Sequence, residues 1–348
     1  MIEKIKAVLL RNPYFYIIDK ARKDPEYKAY CLEYDYNGTI FRFEHLGDLN
    51  FDKNIYILRE GGSYQGMFSI LTWTLRRLEV ADRLNMIPVV TWKKESPVNL
   101  RGAECENPFE LYFQPVSDIN LETALNSAFV VKSKRNDGFR TKRKMSYDFT
   151  DDEIDRLSII YSKYIHLQPE IEDKIYLDIK KISSNSEKIL GVHVRGVDWR
   201  NNQVKYHPIP ITENEFLLET EKLFNTGSYD CIFLATDSDD TVDLFKNRFG
   251  EKIRIFEAKR TPTNTSSLVI FDTDNDQYNL GCEVLRDAYM LANCDALVCG
   301  MSYVSYVARI IKKSMNSNYD KVLLLNKGRS LDGVTVQDAE KLQRRLLK

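Results

Sequence analysis

The chain has 348 residues, 43% hydrophobic and 29% charged, with 50 Lys and Arg against 51 Asp and Glu. A net charge of −1 excludes an overall electrostatic drive toward nucleic acid or an anionic bilayer. No apolar run approaches the roughly 20 residues of a transmembrane helix, and the length is comfortable for two domains rather than one core.

The opening residues 1–23 hold an apolar patch broken by Arg11, Asn12 and Pro13, with no small-residue cleavage site. They read as a short amphipathic element, not a secretory leader, and leave open a peripheral contact with the inner face of a membrane. The six cysteines (Cys31, Cys105, Cys231, Cys282, Cys294 and Cys299) form neither a CxxC pair nor a disulfide-scaffold spacing. Cys231 and Cys299 sit in apolar strand-like runs and read as small core residues. A reducing cytoplasm without structural zinc is expected.

Residues 55–58 (IYIL) predict a buried strand. The run Gly61-Gly62-Ser63-Tyr64-Gln65-Gly66 follows, and then a helix over 67–84, with Phe68, Leu71, Leu75, Leu78 and Ala81 at helical spacing. Pro88-Val89-Val90 opens the next strand, which completes a βαβ unit. The glycine turn either lets backbone approach a ligand at a helix N-terminus or serves as a tight turn only. Residues 91–125, with Asn107, Phe109, Tyr112 and Phe113, read as an irregular aromatic segment able to line a cleft. Residues 130–150 are polar and basic and read as a flexible loop. The runs 132–135 and 140–144 there read as solvated surface, or as contact with an anionic acceptor or membrane face. Helical patterning covers 151–182 with a restart after Pro169, and Ser183-Ser184-Asn185-Ser186 is the best linker.

The second half alternates more regularly. Strands are expected at 188–195, 231–235, 252–256, 296–299 and 321–325. Helices are expected at 213–225, from an Asp239 cap to 249, at 281–293, 303–313 and 336–348, with a polar loop at 257–279. This pattern argues a doubly wound, mostly parallel sheet, whose ligands bind beyond the carboxyl ends of the strands. Polar residues cluster at those ends. In Lys188–Arg200, KILGVHVRGVDWR, His193 and Arg195 fall on one face of the strand, and Asp198 follows in the loop.

Arg195 is the prime candidate, because a guanidinium is permanently charged and binds phosphate bidentately. Asp198 orients it, contacts the ligand, or merely ties the loop to it. His193 suits a nucleotide contact better than a proton acceptor. Thr236 and Asp237 end the next strand as further contacts or as a helix cap. Asp287 lies on a largely apolar helix, where an unpaired carboxylate is costly; it accepts from a base edge, is partly exposed, or pairs with Arg286. Ser302 and the backbone amides of Ser302 and Tyr303 open a helix just past a strand, as an anion site or a plain cap. No metal-ligand cluster is evident, since Asp272 and Asp274 sit in a polar loop.

These motifs resemble the GDP-fucose fucosyltransferase superfamily, most of all its α-1,6-fucosyltransferase and nodulation-protein Z group. The match rests on Gly191–Asp198 continuing to His207-Pro208-Ile209, on Ile232–Asp237, and on Asp287 through Asp295–Ser302. Gly62–Gly66 and Asn107–Phe113 match more faintly. The resemblance implies an α/β fold of GT-B type, with two Rossmann-like domains facing a cleft. With the boundary placed at the Ser183–Ser186 linker, this gives an acceptor-side domain at 1–185 and a nucleotide-sugar domain at 186–330, and the amphipathic C-terminal segment 331–348 is expected to pack back across the interface. The resemblance further implies inverting, metal-independent transfer of L-fucose from GDP-β-L-fucose to a glycan acceptor, with GDP-fucose as donor substrate and no cofactor. His193 and Asp287 would contact guanosine, Arg195 and Ser302 the diphosphate, and Tyr64 the donor from the first domain. Two positions depart from the group: Trp199 replaces a basic residue, and Gln203 replaces an acid proposed as catalytic base, leaving Asp198, Glu60 and Glu106 as candidates. A transferase using another nucleotide sugar and a non-catalytic glycan-binding relative stay as alternatives. No nucleic-acid partner is expected, and no pattern specifies an oligomeric state.

Overall fold

The computed structural model describes residues 5–6, 9, 13–25, 43–61, 66–93, 106–133, 149–183, 187–195, 207–260 and 277–330. Helix α1 (Pro13–Lys23) precedes a four-stranded sheet built from β1 (Phe43–Glu44), β2 (Ile55–Glu60), β3 (Ile87–Trp92) and β4 (Val130–Lys132), in the order β1-β4-β2-β3. Only the β1–β4 pairing is antiparallel. Helix α2 (Met67–Arg83) connects β2 to β3, the βαβ unit read from the sequence. Gly61, at φ 115°, occupies backbone space that favours glycine at the start of the turn.

The aromatic segment does not line a cleft. Phe109, Tyr112 and Phe113 are fully buried. Phe109 stacks on Phe113 at 5.1 Å and meets Trp92 edge-on at 5.3 Å. Asn107 fastens this cluster to β3. Its amide donates to the Val90 carbonyl at 2.8 Å, and its side-chain oxygen accepts from the Trp92 and Phe109 N–H groups at 3.0 and 3.3 Å. A short helix, α3 (Leu121–Leu125), leads into β4, which occupies the start of the stretch expected to be a polar loop.

Helices α4 (Asp151–Tyr164) and α5 (Pro169–Ile182) then lead to a five-stranded, wholly parallel sheet. Its elements are β5 (Ile189–Val194), α6 (Glu213–Phe224), β6 (Cys231–Thr236), α7 (Asp239–Phe249), β7 (Ile253–Arg254), α8 (Gln277–Asn293), β8 (Ala296–Gly300), α9 (Tyr303–Ser314) and β9 (Lys321–Leu325). The strand order is β7-β6-β5-β8-β9. Three boundaries differ from expectation, one of them β7, which is Ile253–Arg254 rather than 252–256. Ser238, not Asp239, caps α7, its hydroxyl accepting from the Thr241 N–H at 3.2 Å. Helix α8 begins at Gln277, inside the expected loop.

Strand alternation sorts this half into two apolar layers. Leu190, Val192 and Val194 pack with Phe216, Leu223 and Phe245 of α6 and α7. Ile189, Cys231, Phe233 and Cys299 pack with Met290, Leu291 and Ala308 of α8 and α9. A Cβ on Gly191 would meet the Cys294 side chain at 3.0 Å, so glycine there lets the end of α8 approach β5.

The outer faces of α8 and α9 are buried too, in a core shared with the first half. Leu285, Ala288, Tyr306 and Ile310 join Leu75, Leu157 and Tyr161 in one apolar cluster. Polar links cross the same seam: Tyr161 and Tyr289 share a hydroxyl hydrogen bond at 2.8 Å, and Arg309 pairs with Asp151 at 2.6 Å.

Candidate functional site

Strand β5 is the hinge of the second sheet's topology. From it the chain steps outward to β6 and β7, then returns across to β8 on the other side. The helices that follow β5 and β8, α6 and α9, pack on opposite faces of the sheet, which leaves a crevice at the carboxyl ends of the two strands. A cavity occupies that place. His193 and Arg195 enter it from β5, Gly300, Met301 and Ser302 from the turn after β8, and Phe216 from α6. Its outer wall is apolar along residues 208–211 and at Leu325, and ends in Asn326 and Lys327.

His193 has the same strand parity as Ile189 and so points toward α9. It is buried, with Nδ1 2.7 Å from the Ser305 hydroxyl. Burial, and then repulsion by the Arg195 cation, push its pKa down to about 3. At neutral pH the ring is neutral, with one donor and one acceptor nitrogen. It is a hydrogen-bonding group and far too weak to act as a general base.

Ser302 is buried at the N-cap of α9, and its Oγ accepts from the Val304 N–H at 3.3 Å. That bond uses an oxygen lone pair and leaves the hydroxyl hydrogen to donate. The positive end of a twelve-residue helix reinforces it. Arg195, half-buried at the mouth of β5, supplies the full charge. A cation, a hydroxyl donor and a helix terminus facing one cavity form a site complementary to a phosphate group.

Tyr303 follows Ser302, but its side chain turns away. Its hydroxyl shares a hydrogen bond with Ser69 of α2, and its ring lies 5.4 Å from Phe149. It thereby ties the N-terminus of α9 to the helix that follows the glycine turn.

Thr236 and Asp237 end β6 beside this cavity without lining it. The Thr236 hydroxyl accepts from the Ser238 N–H at 3.3 Å, and its carbonyl accepts from Arg260 Nε at 3.1 Å. Asp237 is half-buried. Asp287 also lies outside the cavity lining, on α8. It has no hydrogen bond or ion pair among the described residues, and burial pushes its carboxyl up to about 7 against the pull of Arg286 and Arg260. A pair with Arg286 is not what forms. Arg286 is committed to Asp178 at 3.3 Å and to the Glu257 carbonyl at 2.7 Å. Tyr64, Asp198, Trp199 and Gln203 lie outside the described residues.

Three contributors escaped the sequence analysis. Ser305 is one helical turn after Ser302, so i, i+3 spacing on a predicted helix could have found it. Arg260 follows β7 and holds the ends of β6 and β7 through backbone carbonyls, at Thr236 and at Phe256. Lys327 reaches the cavity only because residues 207–209 pair with 328–330, a contact no local pattern announces.

No protein-family model matches the chain, and no curated protein matches it. Among solved structures it is similar to an α-1,6-fucosyltransferase, NodZ, soaked with GDP-fucose, at 18% identity over 74% of this chain and 93% of that one, with a TM-score of 0.46. The fucosyltransferase NodZ from Bradyrhizobium gives 16% identity over 75% and 92%, with a TM-score of 0.45. POFUT1 in complex with GDP-fucose gives 11% identity over 80% and 98%, with a TM-score of 0.48.

Proposed function

We propose that the protein is a glycosyltransferase that moves L-fucose from GDP-β-L-fucose to a glycan acceptor, with inversion and without a metal. The observation that carries this reading is the meeting of His193, Arg195 and Ser302 in one cavity where the strand order reverses. The motifs that resemble GDP-fucose fucosyltransferases are the ones that supply those three residues.

In this reading the acceptor hydroxyl oxygen bonds to the anomeric carbon as the bond from that carbon to the β-phosphate oxygen breaks. GDP leaves, and the acceptor proton passes to a base, for which Asp198, Glu60 and Glu106 are the candidates, or to the departing phosphate. Negative charge grows on the diphosphate. Arg195, the Ser302 hydroxyl and the α9 terminus are preorganised to receive it, which takes the place of a metal. His193 contacts the nucleotide as a neutral ring, and Asp287 accepts from the guanine edge, with Thr236, Asp237 and the backbone at Tyr303 beside the diphosphate. The arrangement is of GT-B type, with residues 186–330 on the donor side and 1–185 on the acceptor side, from which Tyr64 reaches the donor; the C-terminal helix expected at 331–348 lies outside the described residues.

Calorimetry with GDP, UDP and ADP tests the donor: GDP binds best, and tight binding of UDP alone refutes the assignment in favour of another nucleotide sugar. Incubation with GDP-fucose and a panel of glycans tests catalysis through GDP release. The variant Arg195→Ala keeps its fold and loses about 10²–10³ in kcat, the scale of one preorganised charge-stabilising group. Near-full activity of that variant refutes the diphosphate role.

A further inference from the structure

The apolar outer wall of the cavity ends in a cation that the resemblance does not assign. Lys327 lines the same cavity as Arg195 and Ser302. Its backbone is fixed on both sides. The Gly328 N–H donates to the Asn326 side-chain oxygen at 2.7 Å, in a turn where Gly328 takes φ 83°. The segment is then stitched to residues 207–209: the Ile209 N–H donates to the Gly328 carbonyl, and the Ser330 N–H to the His207 carbonyl, each at 2.9 Å.

The ammonium rests on Glu215, at 2.7 Å, with both side chains partly open to water (41% and 39% exposed). Lys327 is the strongest of the partners that hold the Glu215 carboxyl down to about 2, but not the only one. Its carboxylate also accepts from the Thr212 N–H at 2.9 Å and the Thr212 hydroxyl at 2.8 Å, completing the capping box of α6. When Lys327 swings away, Glu215 keeps two donors and its contact with water. A flexible four-carbon stem on a rigid turn can make that swing.

We propose that Lys327 is a second, releasable cation of the anion site, parked on Glu215 when the cavity is empty and turned to the terminal phosphate of a nucleoside diphosphate when it is filled. This rests on the cavity holding the donor diphosphate, and it adds a contact from beyond the end of β9, two strands from β5. Arg195 and Lys327 then grip the leaving group from two sides.

The test is calorimetry on the full chain with inorganic pyrophosphate, GDP and guanosine, comparing the unaltered protein with Lys327→Gln, Lys327→Arg and Glu215→Gln. Lys327→Gln is expected to bind pyrophosphate and GDP about tenfold more weakly, the scale of one charge-assisted contact. Guanosine binding stays unchanged, and Lys327→Arg keeps most of the affinity. Glu215→Gln removes the parking site and a nearby negative charge, so pyrophosphate binds more tightly. If the unaltered protein binds pyrophosphate and GDP while Lys327→Gln, folded by circular dichroism, binds them equally well, the second-cation role is overturned and the donor site stands. If the unaltered protein binds neither, the diphosphate site itself is wrong, and the role of Lys327 falls with it.

Discussion

Asp287→Asn is expected to stabilise the ligand-free protein and to damage the donor site. The carboxyl has a pKa near 7 in the folded chain against a usual 3.8. The folded state therefore holds its proton more tightly, and stability is lost as pH rises from about 4 through 7. Roughly three pKa units correspond to about 4 kcal/mol once both states are ionised. Asp287 is only half-buried, so water screens part of that cost, and we expect about 2 kcal/mol at pH 8. At pH 4, close to the usual 3.8, little of that cost has yet accrued, and the variant and the unaltered protein should differ by less than about 0.5 kcal/mol. His193 has the opposite sign. Its folded pKa of about 3 lies below the usual 6.5, so stability is lost as pH falls through that window. It is present in both proteins and cancels in the difference. Urea unfolding at pH 4, 6 and 8 gives the three differences directly. GDP calorimetry at pH 8 should show about tenfold weaker binding in the variant, because a charge-assisted acceptor has been replaced by a neutral one. A stabilisation that does not grow with pH would refute the buried-charge argument, and unchanged GDP affinity would refute the base contact.

Legibility in the sequence followed how local each signal was. The alternation of strands and helices is written in short periodic segments, so β5, β6, β8, β9 and α6–α9 were placed within a few residues. His193 and Arg195 were found because strand parity and a following glycine are local facts. Three features depended on distant partners. Phe109, Tyr112 and Phe113 look like cleft aromatics until Trp92, on a strand some 15 residues earlier, closes over them and Asn107 locks them to it. Asp239 and Ser238 are equally good caps by composition. The end of β6 at Thr236 decides between them by leaving Ser238 buried at the helix entrance and Asp239 exposed. Lys327 gained its place from pairing with residues about 120 positions away. The polarity of Asp287 was legible, but its isolation was not, because that depends on Arg286 turning to Asp178 on α5 and to the Glu257 carbonyl.

Two further predictions concern the seam between the halves. Gly281→Ala places a Cβ 2.3 Å from the Tyr112 hydroxyl, and Tyr112 is fully buried and stacked on Tyr278 at 5.6 Å. The helix-propensity gain of about 1 kcal/mol is outweighed by an overpacking cost of about 2–3 kcal/mol, so thermal melting should show net destabilisation, and a rise in melting temperature would refute the packing. Glu153→Gln tests the junction of α2, α4 and α9. Arg76 Nε donates to Glu153 at 2.8 Å, with 18% and 15% of the two side chains exposed, and the Arg76 guanidinium lies 5.1 Å over Trp73. Removing one charge leaves the other buried without its counterion, and breaking such a pair costs about 3 kcal/mol. Replacing both residues by methionine should recover much of that loss, because the stranded charge, more than the lost attraction, is what destabilises the single variant. Denaturant midpoints of Arg76→Met, Glu153→Met and the double methionine variant form the cycle that measures this coupling. A coupling near zero would mean that Arg76 and Glu153 are each solvated independently, and that α9 is held against the first half by its other contacts, the Tyr306–Phe149 stack and the Arg309–Asp151 pair among them.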